Sequence, residues 1–329
     1  MDVLITYNTP VNRADEHYLA HAGVMQEVRD VGRACLELGY RFKVLGIGRN
    51  LPEELKRLAD TNADVVFNLC ESIRESSKAQ ALFTGYLELL GFKFTGSDSV
   101  GMFNAVNKQV SYALLQNAGL PVPKTWPLDR WQAVDCFPVL VKPVAEDGSI
   151  GITQDSIATN PEELKAIVMK RKDPVKWLIQ QYVEGREFYV SILEDEHLRT
   201  LALAEATFQD LPPGYRRILS YDAKWIEGSV EQAAYRRICP APVGAEEAKL
   251  YEKLACRAFQ LIGLRHYGRV DLRVDQQGQP YIIDVNANPD ITKGQGFPFA
   301  AEAAGITYPE LIDSILKLAL ADKQRGPWS

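Results

Sequence analysis

No apolar run in this chain approaches the ~18 residues needed to cross a bilayer, so a membrane-spanning body is not expected. The opening Met1-Asp2-Val3-Leu4-Ile5 has no basic region ahead of its short apolar run, so no export signal is read there. Positive charge is not in excess either. The 37 Lys and Arg are outnumbered by 43 Asp and Glu, giving a net charge of −6 and no case for a nucleic-acid partner. The five cysteines, Cys35, Cys70, Cys136, Cys239 and Cys256, are scattered, odd in number and without zinc-ligand spacing. They read as reduced thiols, and the expected compartment is the cytoplasm. Gly46-Ile47-Gly48 is the only glycine pair that looks like a dinucleotide fingerprint. It lacks the third glycine and a helix start at the right place, so no nicotinamide site is expected. No Ser-His-Asp or Cys-His constellation is evident.

What is present is a soluble composition, 46% hydrophobic and 24% charged, in 329 residues, enough for about two domains of ordinary size. The most informative stretch runs from Gly268 to Thr292. Two arms of period-2 alternation flank Gln277-Gly278 and predict a β-hairpin. Arg269, Asp271 and Arg273 share one face of the first arm; Ile282, Asp284 and Asn286 share one face of the second. A two- or four-residue turn sets Val270 against Val285, Leu272 against Ile283, Arg269 against Asn286 and Asp271 against Asp284. Facing carboxylates destabilise a sheet unless something neutralises them. Either Arg269 and Arg273 do so, or a divalent cation does. Asn286, a second oxygen ligand on the face of Asp284, and the loop-forming Asn288-Pro289 favour Mg²⁺, which prefers carboxylate and amide oxygens next to phosphates.

Elsewhere the pattern alternates. Strands at Val3–Ile5, Phe42–Leu45, Val65–Phe67 and Phe92–Phe94 are separated by helices near 24–38, 52–58 and 79–90, which implies a parallel sheet. Its ligands would lie beyond the strand ends, around Asn8-Thr9-Pro10, Asn68-Leu69-Cys70-Glu71 and Thr95-Gly96-Ser97. A helix from Asn104 to Ala118 follows, with Lys108 in its first turn, where a lysine calls for a nearby anion. The strand Val139–Pro143 ends in Lys142 and leads into the glycine-serine loop Glu146–Gly151, suited to phosphates. Strands at 177–183, 188–193 and 201–206 come next, then a helix at 246–262 with a Leu250, Leu254, Ala258, Leu261 stripe, and a last amphipathic helix at 309–320.

Asp284-x-Asn286-x-x-Pro289 beyond a hairpin resembles the metal-binding end of ATP-grasp enzymes, and of D-alanine:D-alanine ligases in particular. Five motifs in the same order extend the resemblance over nearly the whole chain. It implies an α/β (α+β) ATP-grasp fold with an N-terminal Rossmann-like parallel-sheet domain, divided at 1–103, 104–187 and 188–329. It implies that Lys108, Lys142 and Lys224 hold ATP phosphates under a lid loop around Ser149. Gln180 stands where the family usually has Glu against the adenine amino group, and its amide oxygen can still accept. The backbone of Gln181 and Val183 would meet the adenine edge, and Glu187 the ribose hydroxyls. Asp271, Asp284 and Asn286 would bind Mg²⁺, two ions, with Mn²⁺ able to substitute. Arg269 would stabilise the acylphosphate and then the oxyanion.

The substrate end departs from the family. Asn68-Leu69-Cys70-Glu71 lacks the family's His. Asp290 and Gln295 replace the Gly and the Ser near the second amino acid, Gly148 stands at the lid Ser, and the N-terminal Glu that holds the first ammonium in the family has no clear counterpart, with Glu16 the candidate. This favours an ADP-forming carboxylate-amine ligase of small amino acids or peptides with an altered amino-acid site. The alternatives are a true D-alanine:D-alanine ligase of peptidoglycan precursor synthesis and an ATP-grasp kinase that phosphorylates without joining. A homodimer is left open.

Overall fold

Short β-branched and aliphatic runs form the first sheet. Strands β1 (Asp2–Asn8), β2 (Arg41–Ile47) and β3 (Val65–Leu69) pair in parallel in the order β2-β1-β3. They are separated by helices α1 (Tyr18–Glu37) and α2 (Leu51–Ala59) and followed by α3 (Ala79–Leu89). The structure, a computed structural model, describes residues 1–10, 14 and 17–322. Glu16 lies outside the described residues. The strand expected at Phe92–Phe94 is reduced to one parallel bridge, Val66 with Phe94, because the chain leaves the sheet edge at once for Thr95-Gly96.

The helix expected from Asn104 to Ala118 is two helices, α4 (Ser99–Val106) and α5 (Lys108–Asn117). Asn107 takes an extended conformation between them, and its side chain accepts the Val110 N–H. An asparagine in a helical run is a better N-cap than interior residue, which is why the helix breaks there. Lys108 thus opens α5.

A four-stranded antiparallel sheet follows, built from β4 (Thr125–Pro127), β5 (Val139–Pro143), β6 (Ile157–Ala158) and β7 (Trp177–Gln181), with α6 (Pro161–Met169) beside it. The third sheet contains β8 (Gly185–Glu194), β9 (Leu198–Thr200), β10 (Ala204–Phe208), β11 (Tyr235–Ile238), β12 (Tyr267–Asp275) and β13 (Pro280–Asn286). Its order is β11-β10-β8-β12-β13, with β9 paired to β8. Between its strands come the short helices α7 (Tyr221–Trp225) and α8 (Val230–Ala234) and the long α9 (Ala245–Ile262); α10 (Gly296–Ala303) and α11 (Tyr308–Ala321) close the chain. On α9 Ala258 of the expected stripe is buried, but the rest of the buried face is Tyr251, Ala255, Phe259 and Ile262 in place of the leucines, and Leu250 is 44% exposed. The large rings of Tyr251 and Phe259 bury more area than leucines and set the face. The first and third sheets share a core in which Val3, Ile5, Val31 and Phe67 pack with Tyr267, Phe297 and Ile312. Among the described residues no helix is long and apolar enough to cross a membrane.

Candidate active site

The β12–β13 hairpin carries the first half of the site. Its turn spans residues 276–279, with Gly278 at φ +82°, where a side chain would be strained. Arg269 faces Asn286, Val270 faces Val285 and Asp271 faces Asp284, as the alternation implies. Beyond that pair the register slips, and Leu272 faces Ile282, not Ile283. Ile283 is the extra residue of a β-bulge, a one-residue insertion that turns Ile282 from the polar face into the core. The bulge also turns the Ile283 carbonyl toward β5. There it accepts from the Tyr112 hydroxyl and from Lys142 Nζ at 3.2 Å, while Lys142 Nζ also donates to Tyr112 Oη at 2.8 Å.

The two facing carboxylates are answered by separate cations. Arg269 donates to Asp271 through Nε and Nη2 at 2.7 and 2.8 Å, a bidentate pair. Burial alone would lower the Arg269 pKa, but the Asp271 charge outweighs it and raises it. Arg273, the other arginine of that face, turns instead to Glu187, Nε to Oε2 3.7 Å, and to the Arg217 carbonyl. Lys108, 3% exposed, stands 3.6 Å from Asp284 and 3.4 Å from Asp147 and donates to the Glu146 carbonyl at 2.8 Å. Burial pulls its pKa down and the two carboxylates more than restore it. Lys142 has no such carboxylate in contact, and burial pushes it down to about 8 despite Asp284.

One cavity of about 130 Å³ is lined by Lys108, Lys142, Gln180, Glu187, Lys224 and Arg269, and by Asp271, Asp284 and Asn286. Ser149, Gln181 and Val183 also face it. The 3%-exposed Gln180 leaves its Nε2 without a partner among the described residues, so the amide retains hydrogen-bonding capacity for a ligand. The Gln181 N–H donates to the Lys124 carbonyl at 2.8 Å, so the backbone of that residue keeps its carbonyl for an adenine edge. Glu187 accepts from Tyr189 Oη at 2.9 Å, and burial raises its pKa against the pull of Arg273. Ser149 sits at φ +63° and donates its hydroxyl to the Leu219 carbonyl at 2.7 Å, turned away from a phosphate role in this conformation. Asp271, Asp284 and Asn286 offer hard oxygens on one face, and Asn286 Nδ2 donates to Asp271 Oδ2 at 3.1 Å. Two carboxylates and an amide suit a Mg²⁺ completed by phosphates and water.

A second cavity, about 260 Å³, adjoins the first. Asp147, Gly148, Lys224, Arg269 and Asn286 line both. Trp225 donates from Nε1 to the Gly148 carbonyl at 2.7 Å and fastens α7 to the glycine loop. Asp290 and Gln295 line this second cavity. Asp290 Oδ1 accepts the Thr292 N–H at 2.8 Å, an Asx-type turn, and Gln295 caps α10 without a side-chain bond. Two further carboxylates line the wall: Glu71, in the stretch after β3 expected to lie near a ligand, and Glu27, which the sequence reading did not name. Glu27, on α1, accepts the Ile291 N–H at 3.2 Å. Glu71, in the turn after β3, has its own N–H bound by Asn8 Oδ1 at 3.2 Å. Glu27 lies three and four residues from Val24 and Val31 on the apolar stripe of α1; a carboxylate on such a stripe was the available signal.

The family model for the D-ala D-ala ligase C-terminus matches residues 105–317. The D-alanine–D-alanine ligase of Thermotoga petrophila is 31% identical over 296 residues, covering 88% of this chain and 90% of that protein. In fold the chain is similar to the D-alanine–D-alanine ligase of Bacillus anthracis solved with ATP, with a TM-score of 0.75, 20% identity and 97% of each chain covered. It is also similar to the VanG D-Ala:D-Ser ligase of Enterococcus faecalis, with a TM-score of 0.72, 17% identity, and 97% of this chain and 99% of that one covered.

Proposed function

Because the chain belongs to the D-alanine–D-alanine ligase family, and is therefore an ATP-grasp ligase, we propose that it joins a small carboxylate to an amine through an acylphosphate, with release of ADP. The observation that carries this reading is the junction of the two cavities: Lys224, Arg269 and Asn286 line both, so a phosphoryl donor on one side meets an acceptor on the other.

ATP is the donor. Lys108, Lys142 and Lys224 hold its phosphates, Gln180, the Gln181 carbonyl and Val183 face the adenine, and Glu187 faces the ribose. Asp271, Asp284 and Asn286 would hold Mg²⁺, which when bound neutralises phosphate charge. The reaction depends on that neutralisation and on in-line positioning more than on covalent help from the protein. A substrate carboxylate oxygen attacks the γ-phosphorus, the bond to the β–γ bridging oxygen breaks, and ADP leaves. The amine nitrogen then attacks the acyl carbon of the acylphosphate. The carbon–oxygen bond to phosphate breaks, inorganic phosphate leaves, and the amine loses a proton. Arg269, fixed by its fork on Asp271, keeps its remaining N–H groups for the negative oxygen that develops on the acyl carbon.

The amino-acid end differs from D-alanyl-D-alanine synthesis. Asp290 and Gln295 on the wall of the second cavity support that reading, because a carboxylate there repels a second free carboxylate. Phosphate release over D- and L-amino acids, singly and in pairs, with mass analysis of the product, tests the reaction. ADP with an amide supports ligation; ADP with a phosphomonoester would turn the reading to a kinase. Efficient joining of two D-alanines would refute the altered amine site.

A further inference from the structure

The second cavity gathers more carboxyl groups than its own cations answer. Glu27, Glu71 and Asp290 line it, from α1, the turn after β3 and the loop after β13. Among the described residues, none of the three has an arginine, lysine or histidine at ion-pair distance. Of the other charged groups on this wall, Asp147 is taken up by Lys108 at 3.4 Å and Arg269 by Asp271 at 2.7 Å. That leaves Lys224 to face three carboxylates, with His21 held beside Ser72.

Glu27 is 3% exposed, and its one hydrogen bond among the described residues comes from a backbone N–H, Ile291. A carboxylate so far from water with one neutral donor is costly unless a cation completes it. Consistent with that cost, burial, Asp290 and Asp147 push Glu71 up to about 8 against Lys224, and burial with Glu71 and Asp290 raises Glu27.

A metal ion is a poor candidate for the missing cation. Among the described residues no three acidic, His or Cys side chains come together with metal-binding geometry. Beside the carboxylates the wall carries an apolar strip, Val24 from α1, Met102 and Val106 from α4 and the Trp225 ring, among polar side chains such as Gln80 and Asn288. Carboxylates beside an apolar strip match an ammonium on methylene groups, and about 260 Å³ limits the occupant to a small molecule.

We propose that the amine substrate of this ligase bears a second cationic group on a short aliphatic chain, as in a diamine or a basic amino acid, held by Glu27, Glu71 and Asp290. The assignment rests on the ligase reading and adds the substrate class. It turns the altered amine end from a site that repels a second carboxylate into one that recruits a charge.

The test is calorimetric titration of the full chain, without nucleotide, with 1,4-diaminobutane, both enantiomers of lysine, and D-alanine. It is paired with ADP release using D-alanine as the carboxylate partner. A cationic amine is expected to bind at least roughly tenfold more tightly than D-alanine. Glu71→Gln and Asp290→Asn are each expected to weaken it by roughly ten- to a hundredfold, the loss of one charged hydrogen bond. ATP affinity serves as the check that each variant is folded. Tight binding of lysine but not the diamine assigns a basic amino acid, and equal binding assigns a diamine. D-Alanine binding as well as every cationic amine, or both variants leaving cation affinity unchanged, overturns the proposal. The two readings separate cleanly. Cation binding with no ADP from any pair removes the ligase reading and keeps the cation site; ADP and amide from D-alanine alone, with no cation bound, does the reverse.

Discussion

The two cavities lie against each other and handle charge in opposite ways. On the nucleotide side four of the five lining carboxylates have a cation near them: Asp271 has Arg269, Asp284 and Asp147 share Lys108, and Glu187 has Arg273 at 3.7 Å, while Glu146 accepts from the Ser77 hydroxyl. On the amino-acid side three carboxylates face Lys224 with no contact ion pair among the described residues. The first side is balanced before any ligand arrives, so ATP with its metal adds opposite charges together. The second is unbalanced, and an unbalanced buried wall stores a preference for whatever restores neutrality. On the proposed reading, comparing the two sides separates residues that would hold the cofactor from residues that would choose the substrate.

The most damaging change to the balanced side is Asp284→Asn. Turnover is expected to fall by about three orders of magnitude, as several kcal/mol of transition-state charge stabilisation are lost. Metal-free stability should stay nearly level. The variant relieves the facing pair but takes one counter-charge from Lys108, which keeps Asp147. Turnover at limiting Mg²⁺ with thermal denaturation in chelator measures both, and wild-type turnover in the variant would remove the hairpin from metal binding.

Arg269→Lys keeps the charge and loses the fork. A lysine cannot reproduce two parallel bonds to Asp271 and still present donors to the acyl oxygen. We expect kcat to drop by ~10²- to 10³-fold with the KM for ATP near its original value. An unchanged kcat would make Arg269 a structural partner of Asp271 only.

On the unbalanced side the expected effects are smaller. Asp290→Gly with Gln295→Ser should improve kcat/KM for D-alanine as the amine by about tenfold, since a nearby charged contact shifts such discrimination by roughly 1–3 kcal/mol. The Asx turn at Thr292 is lost in the same change, so the amide product of the double variant should be measured alongside each single change. No gain in the double variant would mean that the Asp290 carboxylate acts only on its own loop.

How much of this was legible follows the same divide. The nucleotide side is written in local patterns. Alternation puts Arg269, Asp271, Asp284 and Asn286 on one face, and a strand ending in Lys142 runs into a glycine-serine loop. What alternation could not show was the bulge at Ile283, because one inserted residue leaves no mark in a period-2 pattern but reverses the residues on its turn side, Pro280 to Ile282. The break at Asn107 was visible as a capping residue, yet helical periodicity runs across it. The amino-acid side is assembled from Glu27, Glu71 and Asp290, on three elements widely separated in the chain, and no local period links them. The α9 face failed for a different reason: Leu250 and Leu261 keep helical spacing, while the bulkier Tyr251 and Phe259 decide which side is buried.

The smallest expected effect is one of pH on stability, and it bears directly on the unbalanced wall. Glu71 titrates at about 8 in the fold, raised from 4.5 by burial first, then by Asp290 and Asp147, with Lys224 opposing. Glu27 lies in the same group and is also raised. A carboxyl with a raised folded pKa binds its proton more tightly folded than unfolded. Its contribution is therefore fully present below about 4.5 and is lost progressively as pH rises to about 8. The ligand-free protein should accordingly lose melting temperature between about pH 5 and pH 8. Glu71→Gln, which stays neutral throughout, should flatten that slope, leaving the variant on the order of 2 °C or more above the wild type at pH 8. A cationic amine supplied at saturation should have a similar flattening effect on the wild type, because it restores the charge the wall lacks. Parallel melting curves for wild type and variant across that range, with no convergence at low pH, would show that Glu71 carries no buried charge penalty.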